Sequence, residues 1–573
     1  MTDNGARART AVDDLAETYL AQHAALDPIM ATELGMAEHR TELPDLSPDG
    51  LADVSRLRRR TLAALQGVVP KDSVDRITVA ALRERLRAAE ELRETGAEES
   101  QLNNVNSPLQ KIRLVFDLMP KETAQDWVAV ADRLMRVPVT MDGYIASLRH
   151  AVWRGDGIAR RQLDVGIAQC SAVFADDGFF ADLAAQAGRT QGLTPALLKE
   201  VERGARVARS AYARVADALA GDLQDKAVDR DGVGQERYIR FARSSLGMSI
   251  DIDDTYAWAR GELRRIDEQM KELAERITPG GSIQEAMRVL DADPARRLHG
   301  AEALRAWMQH TCDEAVVVLG AGHFDIPSPI RAVECIVVPT GGGIYYTGPS
   351  ENLSRPGRVW WGVSPTATEF TTWRELSTVY HEGVPGHHLQ VAQTAHRHHD
   401  LNRWRRLAWV DGHGEGWALY AERLMAELGF LDDPGDRLGM LASQAFRAVR
   451  VLIDIGMHCG LPAPAEAGGG SWTYDKAYHL LRAYSTKSEE RARFEIDRYL
   501  GLPAQASSYK IGERSWLRLR EAVRLREGAA FDLTAFHREA LNLGGVGLSI
   551  LHDAMLGEDG DERHADSSRR NVE

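Results

Sequence analysis

Apolar residues recur at helical spacing along most of this 573-residue chain, and no other feature restricts its fold so strongly. Leu263, Ile266, Met270, Leu273 and Ile277 step by three and four, which is one buried stripe of a long amphipathic helix. The stretch 73–96 behaves likewise, with Ser73 as the expected N-cap and Gly96 as the stop. Similar segments cover 9–38, 122–153, 194–221, 301–319, 403–428, 434–459 and 511–556. At about 150 residues per domain the length allows three or four units. No fixed-period repeat and no long Gly/Ser or Pro-rich linker divides the chain, so one large, mainly α body over residues 1–556 is expected. The polar residues 557–573 read as a flexible tail.

One stretch breaks the period. Residues 330–365 are rich in β-branched and aromatic side chains punctuated by Gly and Pro, and predict two or three short strands joined by turns. Residues 461–471 predict a loop between helices.

Composition narrows the function. Lys+Arg 70 against Asp+Glu 84 gives a net charge of −14, and no basic stripe stands out to neutralise phosphates, so nucleic acid is not an expected partner. The run Arg56–Arg60 reads as a solvated helix face. Cys170, Cys312, Cys335 and Cys459 are far apart in sequence, which fits buried thiols in a reduced protein. The N-terminal residues lack the apolar centre of a secretory signal, and no run approaches the 18 or so apolar residues of a membrane span, so a soluble, cytoplasmic protein is expected. Nucleotide-binding GxxxxGK[ST] and nucleophile GxSxG patterns are both absent from the sequence.

The chemistry concentrates at His381-Glu382-Gly383-Val384-Pro385-Gly386-His387-His388. In zincins, two histidines at i and i+4 on a helix bind zinc, and a glutamate between them acts on the attacking water. Here His387 stands at i+6 and His388 at i+7. On an unbroken helix His388 would share the face but lie roughly 10 Å along the axis, too far for one ion, and His387 would point away. Pro385 and Gly386 change this, because a loop-out that absorbs two residues returns His387 to the position of the second ligand. A third ligand is expected from Glu415, in the helical stretch 33 residues beyond Glu382. His381, His387 and Glu415 then make a His₂Glu set with the fourth position open to water. Glu422, two turns on, either orients a ligand or is a carboxylate on a solvated face. His396, His398, His399 and His413 read as surface or supporting histidines.

HEGVPGHHLQ followed by DGHGEGWALYAERL resembles the bacterial family called domain of unknown function 885. That family in turn resembles the Taq-type zinc metallocarboxypeptidases, whose metal helix carries His-Glu-x-x-His. Further matching stretches are ALDPIMATELG, SRPGR and LPAQASSYKIGERSWLRLREA, so the likeness spans most of the chain. The resemblance implies an elongated all-helical body with a deep central groove, the strand insert lying just before metal helices at about 367–395 and 403–428. It implies Glu382 as general base and acid, and one Zn²⁺ per chain. The two-residue Pro-Gly insertion departs from the Taq-type pattern and leaves His388 as an alternative second ligand to His387. Tyr509 falls where the related peptidases place an oxyanion-binding tyrosine; a buried structural tyrosine is the other reading. Tyr345, Tyr346, Arg355 and Arg358, in the strand insert, are candidates for holding a peptide backbone or a terminal carboxylate, with plain turn chemistry as the alternative.

The sequence therefore predicts a zinc-dependent metallopeptidase, of carboxypeptidase type by resemblance, in which Glu382 activates water for attack on a peptide bond. Its partners are a peptide or small amide substrate, with a homodimer left open. A metal-dependent hydrolase of non-peptide amides or esters and an inactive zinc-binding scaffold are the rival readings.

Overall fold

The computed structural model describes residues 7–339, 342–485 and 488–557, so all but the first residue of the expected tail lies outside the described residues. The fold is mainly α, as expected, and its helix ends follow local hydrogen bonding more closely than the apolar period does. Helix α1 (Ser73–Arg93) is capped by Asp72, whose carboxylate accepts from the Asp75 amide. The cap thus falls one residue before the expected Ser73, which is already helical. Gly96, at φ +74°, lies in the turn beyond. Helix α2 (Pro195–Ala218) and helix α3 (Ile252–Ile277) match their periodic segments. Leu263, Ile266, Met270 and Leu273 of α3 are buried, each contributing about 1.5–3 kcal/mol of transfer free energy.

Among the described residues the core falls into three parts. Residues 102–223, together with Ile29, build one of their own around α2. A second and larger part joins α1 and α3 to the C-terminal helices. The third lies under the strand insert, where Leu304, Met308 and Cys312 of α4 (Ala301–Gly320) meet Val333, Cys335, Val359 and Trp361. That insert is a three-stranded sheet of β1 (Val333–Val338), β2 (Ile344–Thr347) and β3 (Gly357–Gly362), in the order β1-β3-β2. β1 runs parallel to β3, and β2 runs antiparallel to it with Tyr345 opposite Trp360. β2 is therefore an edge strand. Arg297–His299 and Glu369–Thr371 form a separate short antiparallel pair.

Beyond the sheet come α5 (Thr372–Glu382), α6 (His387–His396), α7 (Asp411–Glu427), α8 (Pro434–Cys459), α9 (Glu489–Gly501) and α10 (Gln505–Glu527). Five expected helical segments are split: 9–38 into Ala11–Leu26 and Pro28–Glu33, 122–153 into Ala124–Leu134 and Val137–Trp153, and three in the C-terminal half. Residues 367–395 break between α5 and α6, and 403–428 into Arg403–Leu407 and α7. The segment 511–556 divides into α10, Leu533–Asn542 and Leu548–Leu556. Gly528 at φ +58° ends α10, and Asp532 caps the next helix through the amides of Thr534 and Ala535. Apolar spacing runs across these C-terminal breaks because their pieces bury into one core. Helices α7 and α10 pack backbone to backbone: a side chain at Gly416 would meet the Gly512 and Glu513 main chain. Among the described residues, no helix is long and apolar enough to cross a membrane.

Candidate metal centre

Helix α5 stops at Glu382, and α6 starts at His387 after the turn 383–386, which contains a cis Val384–Pro385 peptide. The sequence predicts a bulge inside one helix; the structure has a stop and a restart. Pro385 has no amide to donate, and Gly383 and Gly386 adopt ψ −125° and −129°, far from helical values. The turn is closed by Gly386 N to Tyr380 O at 3.0 Å and His388 N to Gly383 O at 3.1 Å. Any side chain at Gly386 would run into the carbonyls of Tyr380 and His381. From α7, Trp417 Nε1 donates to the Pro385 carbonyl at 2.9 Å, so the ligand-bearing helices are tied together at the turn.

This turn brings His387 back to His381, the ring centroids 4.9 Å apart. Glu415 Oε2 lies 3.3 Å from His381 Nε2 and 3.4 Å from His387 Nε2. Among the described residues these three are the group whose donor atoms all converge within 4.8 Å. Two ligands about 2.0–2.1 Å from one ion at the tetrahedral angle stand roughly 3.3 Å apart, so the spacing fits zinc. Glu415 Oε2 is buried and neither ring N–H is aligned on it. Both imidazoles and the carboxylate are thus free to act as donors.

The charge balance points the same way. Glu382, Glu415 and Glu422 bring three carboxylates to two imidazoles and the Arg447 guanidinium, 3.7 Å from Glu422, a largely buried and acid-rich surround that suits a cation on the triad. Burial lowers the His381 pKa, but its contacts with the Glu415 and Glu422 carboxylates outweigh it and hold the ring up at about 9. Burial likewise raises Glu415, and its histidine contacts more than reverse this, holding it well below the usual carboxylate range. A dication would take over the role of the imidazole proton.

Glu422 is fully buried, which excludes a solvated face, and its Oε1 accepts from His381 Nδ1 at 2.8 Å. The bond fixes the tautomer and turns Nε2 toward Glu415. Were the triad to hold zinc, Glu422→Gln would weaken its binding about 10–100-fold, measured by competition with a chelator. Unchanged affinity would show that His381 is oriented by other means. His388 faces elsewhere, with Nε2 on the Ile330 carbonyl at 2.8 Å and Nδ1 on Tyr346 Oη at 3.0 Å, and burial depresses its pKa to about 4. His413 is held by Gln390 at 2.8 Å. His396, His398 and His399 do not belong to the converging group.

The triad opens on a groove of about 1320 Å³, lined by β2, α5, α8 and α9, with Tyr345, Tyr346 and Tyr509 on its walls. Glu382 lines it too, its Oε2 buried without a partner and its carboxyl pKa raised by burial. Burial and the nearby Glu415 push up the Tyr509 hydroxyl, and the Arg450 guanidinium lies 5.1 Å from the Tyr509 ring centroid. Arg355 and Arg358 do not reach the groove. Arg355 donates to the Gly348 and Pro356 carbonyls of its own turn, and Arg358 pairs with Glu334 across β1 and β3 at 2.7 Å. Arginines that do line the groove include Arg374 of α5, Arg447 and Arg450 of α8, and Arg491 and Arg498 of α9, which sequence reasoning missed. Their signal was present: Gly439, Ala442, Ser443, Phe446, Arg447 and Arg450 recur at helical spacing, arginine among small residues on one face.

Behind Trp417 lies a buried aromatic group in which His537 stacks on Phe324 at 4.6 Å and bonds Tyr420 Oη at 2.7 Å. Burial lowers the His537 pKa from 6.5 to about 3. The unfolded chain takes up this proton near pH 6.5 and the folded one only near 3, so its contribution is whole above pH 6.5 and is lost as the pH falls to 3. His537→Phe is expected to flatten the acid branch of the stability curve, by at most about 1.4 kcal/mol per pH unit. Denaturant midpoints between pH 7 and 5 measure it; an unchanged slope would assign the acid lability to other groups.

The sequence profile of one family matches residues 28–555. The chain belongs to DUF885, bacterial proteins of unknown function. No curated protein matches it. Two solved structures resemble this DUF885 chain closely in fold. One is a provisionally named lipoprotein from Colwellia psychrerythraea, 22% identical with a TM-score of 0.83, the match covering 95% of this chain and 98% of that one. The other is a provisionally named lipoprotein of unknown function from Shewanella oneidensis, 17% identical with a TM-score of 0.73, covering 96% and 100%. At these identities the likeness carries the DUF885 fold alone.

Proposed function

We propose that this DUF885 protein is a zinc-dependent metallopeptidase that holds one Zn²⁺ on His381, His387 and Glu415 and hydrolyses peptide bonds in the groove. The observation that carries the reading is a base beside an open donor triad: Glu382, with a buried and unpartnered Oε2, sits between the two histidines on the groove wall. When bound, zinc supplies Lewis-acid polarisation of a carbonyl and acidifies water. Glu382 takes the proton of the attacking water and passes it to the leaving amine. Tyr509 donates its hydroxyl to the oxygen on which negative charge develops. The free edge of β2 pairs with an extended substrate backbone.

Carboxypeptidase action, as in the Taq-type enzymes, is part of the proposal. Arg498 has a buried, unpartnered Nε on the groove wall, suited to a terminal carboxylate. The same groups would attack a non-peptide amide or ester, but a groove of this size with a strand edge in it favours a peptide. An inactive scaffold would be served by a fourth protein ligand, and His388 is committed to Ile330 and Tyr346 instead. A cytoplasmic location also enters the proposal, since the four cysteines are free and therefore suit a reducing compartment.

Metal content and peptide cleavage with products read by mass test the reading. One zinc per chain and loss of single C-terminal residues are expected; internal fragments would keep the peptidase and drop the end-trimming. Bound zinc without cleavage of any peptide would overturn the assignment.

A further inference from the structure

The groove presents one aromatic ring beside the triad that the proposed chemistry does not use. Trp409 stands just before α7, 46% exposed, on the groove wall. Two contacts fix it. Its Nε1 donates to Asp411 Oδ1 at 2.9 Å, and its six-membered ring rests on Gly414, where a Cβ would overlap the ring carbons. The ring centroid lies 5.7 Å from that of His387, tilted by 57°. A flat apolar surface is therefore held beside one donor of the triad and one residue from another, Glu415. Trp153, 81% exposed, lies off the groove.

We infer that Trp409 determines specificity: it is the platform for the substrate side chain next to the scissile bond, and preferred substrates carry an aromatic side chain there. The inference rests on the peptidase reading for what the bond is. The indole N–H is already taken by Asp411, so what the ring has left to offer is apolar face and edge, with no polar handle. Aromatic rings gain from offset or edge-to-face contact with such a surface beyond the area they bury. Glu382 and Glu415 close by disfavour an acidic side chain at the same place.

The test uses the full chain with zinc added and measures binding of N-acetyl-phenylalanine amide, N-acetyl-alanine amide and N-acetyl-lysine amide by calorimetry. The aromatic amide is expected to bind about tenfold tighter than the alanine one. Trp409→Ala should abolish that preference and Trp409→Phe keep it, with zinc content unchanged in both. Equal affinities in the parent, a preference that survives Trp409→Ala, or tightest binding of the lysine amide would overturn the inference. Cleavage separates it from the reading beneath it. A parent that cleaves peptides without aromatic preference removes the platform and leaves the peptidase. A parent that cleaves none but shows the Trp409-dependent preference removes the peptidase and leaves the platform.

Discussion

Glu382→Gln is expected to keep the zinc and the fold while lowering peptide hydrolysis by roughly 10²–10⁴-fold, the contribution typical of one positioned acid–base group. The amide is close to isosteric with the carboxyl, so packing around this buried side chain is preserved. It does not take up a proton at neutral pH, and so cannot accept one from water or return it to the amine. Glu382 is also absent from the converging donor group, so metal content should not follow activity down. Zinc by mass spectrometry, circular dichroism and a peptide assay on one preparation make the comparison. Retained turnover would remove Glu382 from the reaction; lost zinc would make it a ligand.

The second large effect concerns the ligands. His381→Ala, His387→Ala and Glu415→Ala should each lower zinc affinity by more than the roughly 10–100-fold typical of a supporting partner, and abolish activity with it. His388→Ala is the informative control. It removes contacts to Ile330 and Tyr346 and is expected to cost stability, yet to leave zinc bound. Dialysis against a zinc buffer followed by metal analysis distinguishes the four. Full occupancy in His387→Ala with loss in His388→Ala would reverse their assignment.

Most of the helical body was legible because burial imposes its period on the sequence, as the α3 stripe shows. Helix ends were less so. The cap at Asp72 and the stop at Gly528 depend on single hydrogen bonds and one positive φ, which apolar spacing does not record. A separate core for residues 102–223 was equally hidden, since its helices have the same period as the rest. At the centre, Pro385 and Gly386 announced that the helix is interrupted, but not whether it bulges or restarts. His381, His387 and Glu415 could be chosen from motif spacing because each lies on or beside a recognisable pattern. Arg374 is on α5 itself, but Arg447, Arg450, Arg491 and Arg498 come from α8 and α9, far away in sequence, and the tertiary fold brings them into the groove. Arg355 and Arg358 were attractive for being near the motif in sequence, and nearness in sequence proved a poor guide in a turn-rich insert.

The glycine contact between α7 and α10 ties positions far apart in the chain to a common fate. Gly416 follows Glu415 directly, and Gly512 lies one helical turn beyond Tyr509. A methyl group at either site would push the two helices apart and carry Tyr509 away from Glu415. During sequence drift these two glycines are therefore held by the packing of α7 on α10, and with it the placement of Glu415 and Tyr509. A lineage whose α7 and α10 stand further apart would be free to lose both, which makes their joint presence or absence among relatives a record of which ones keep these helices in close contact.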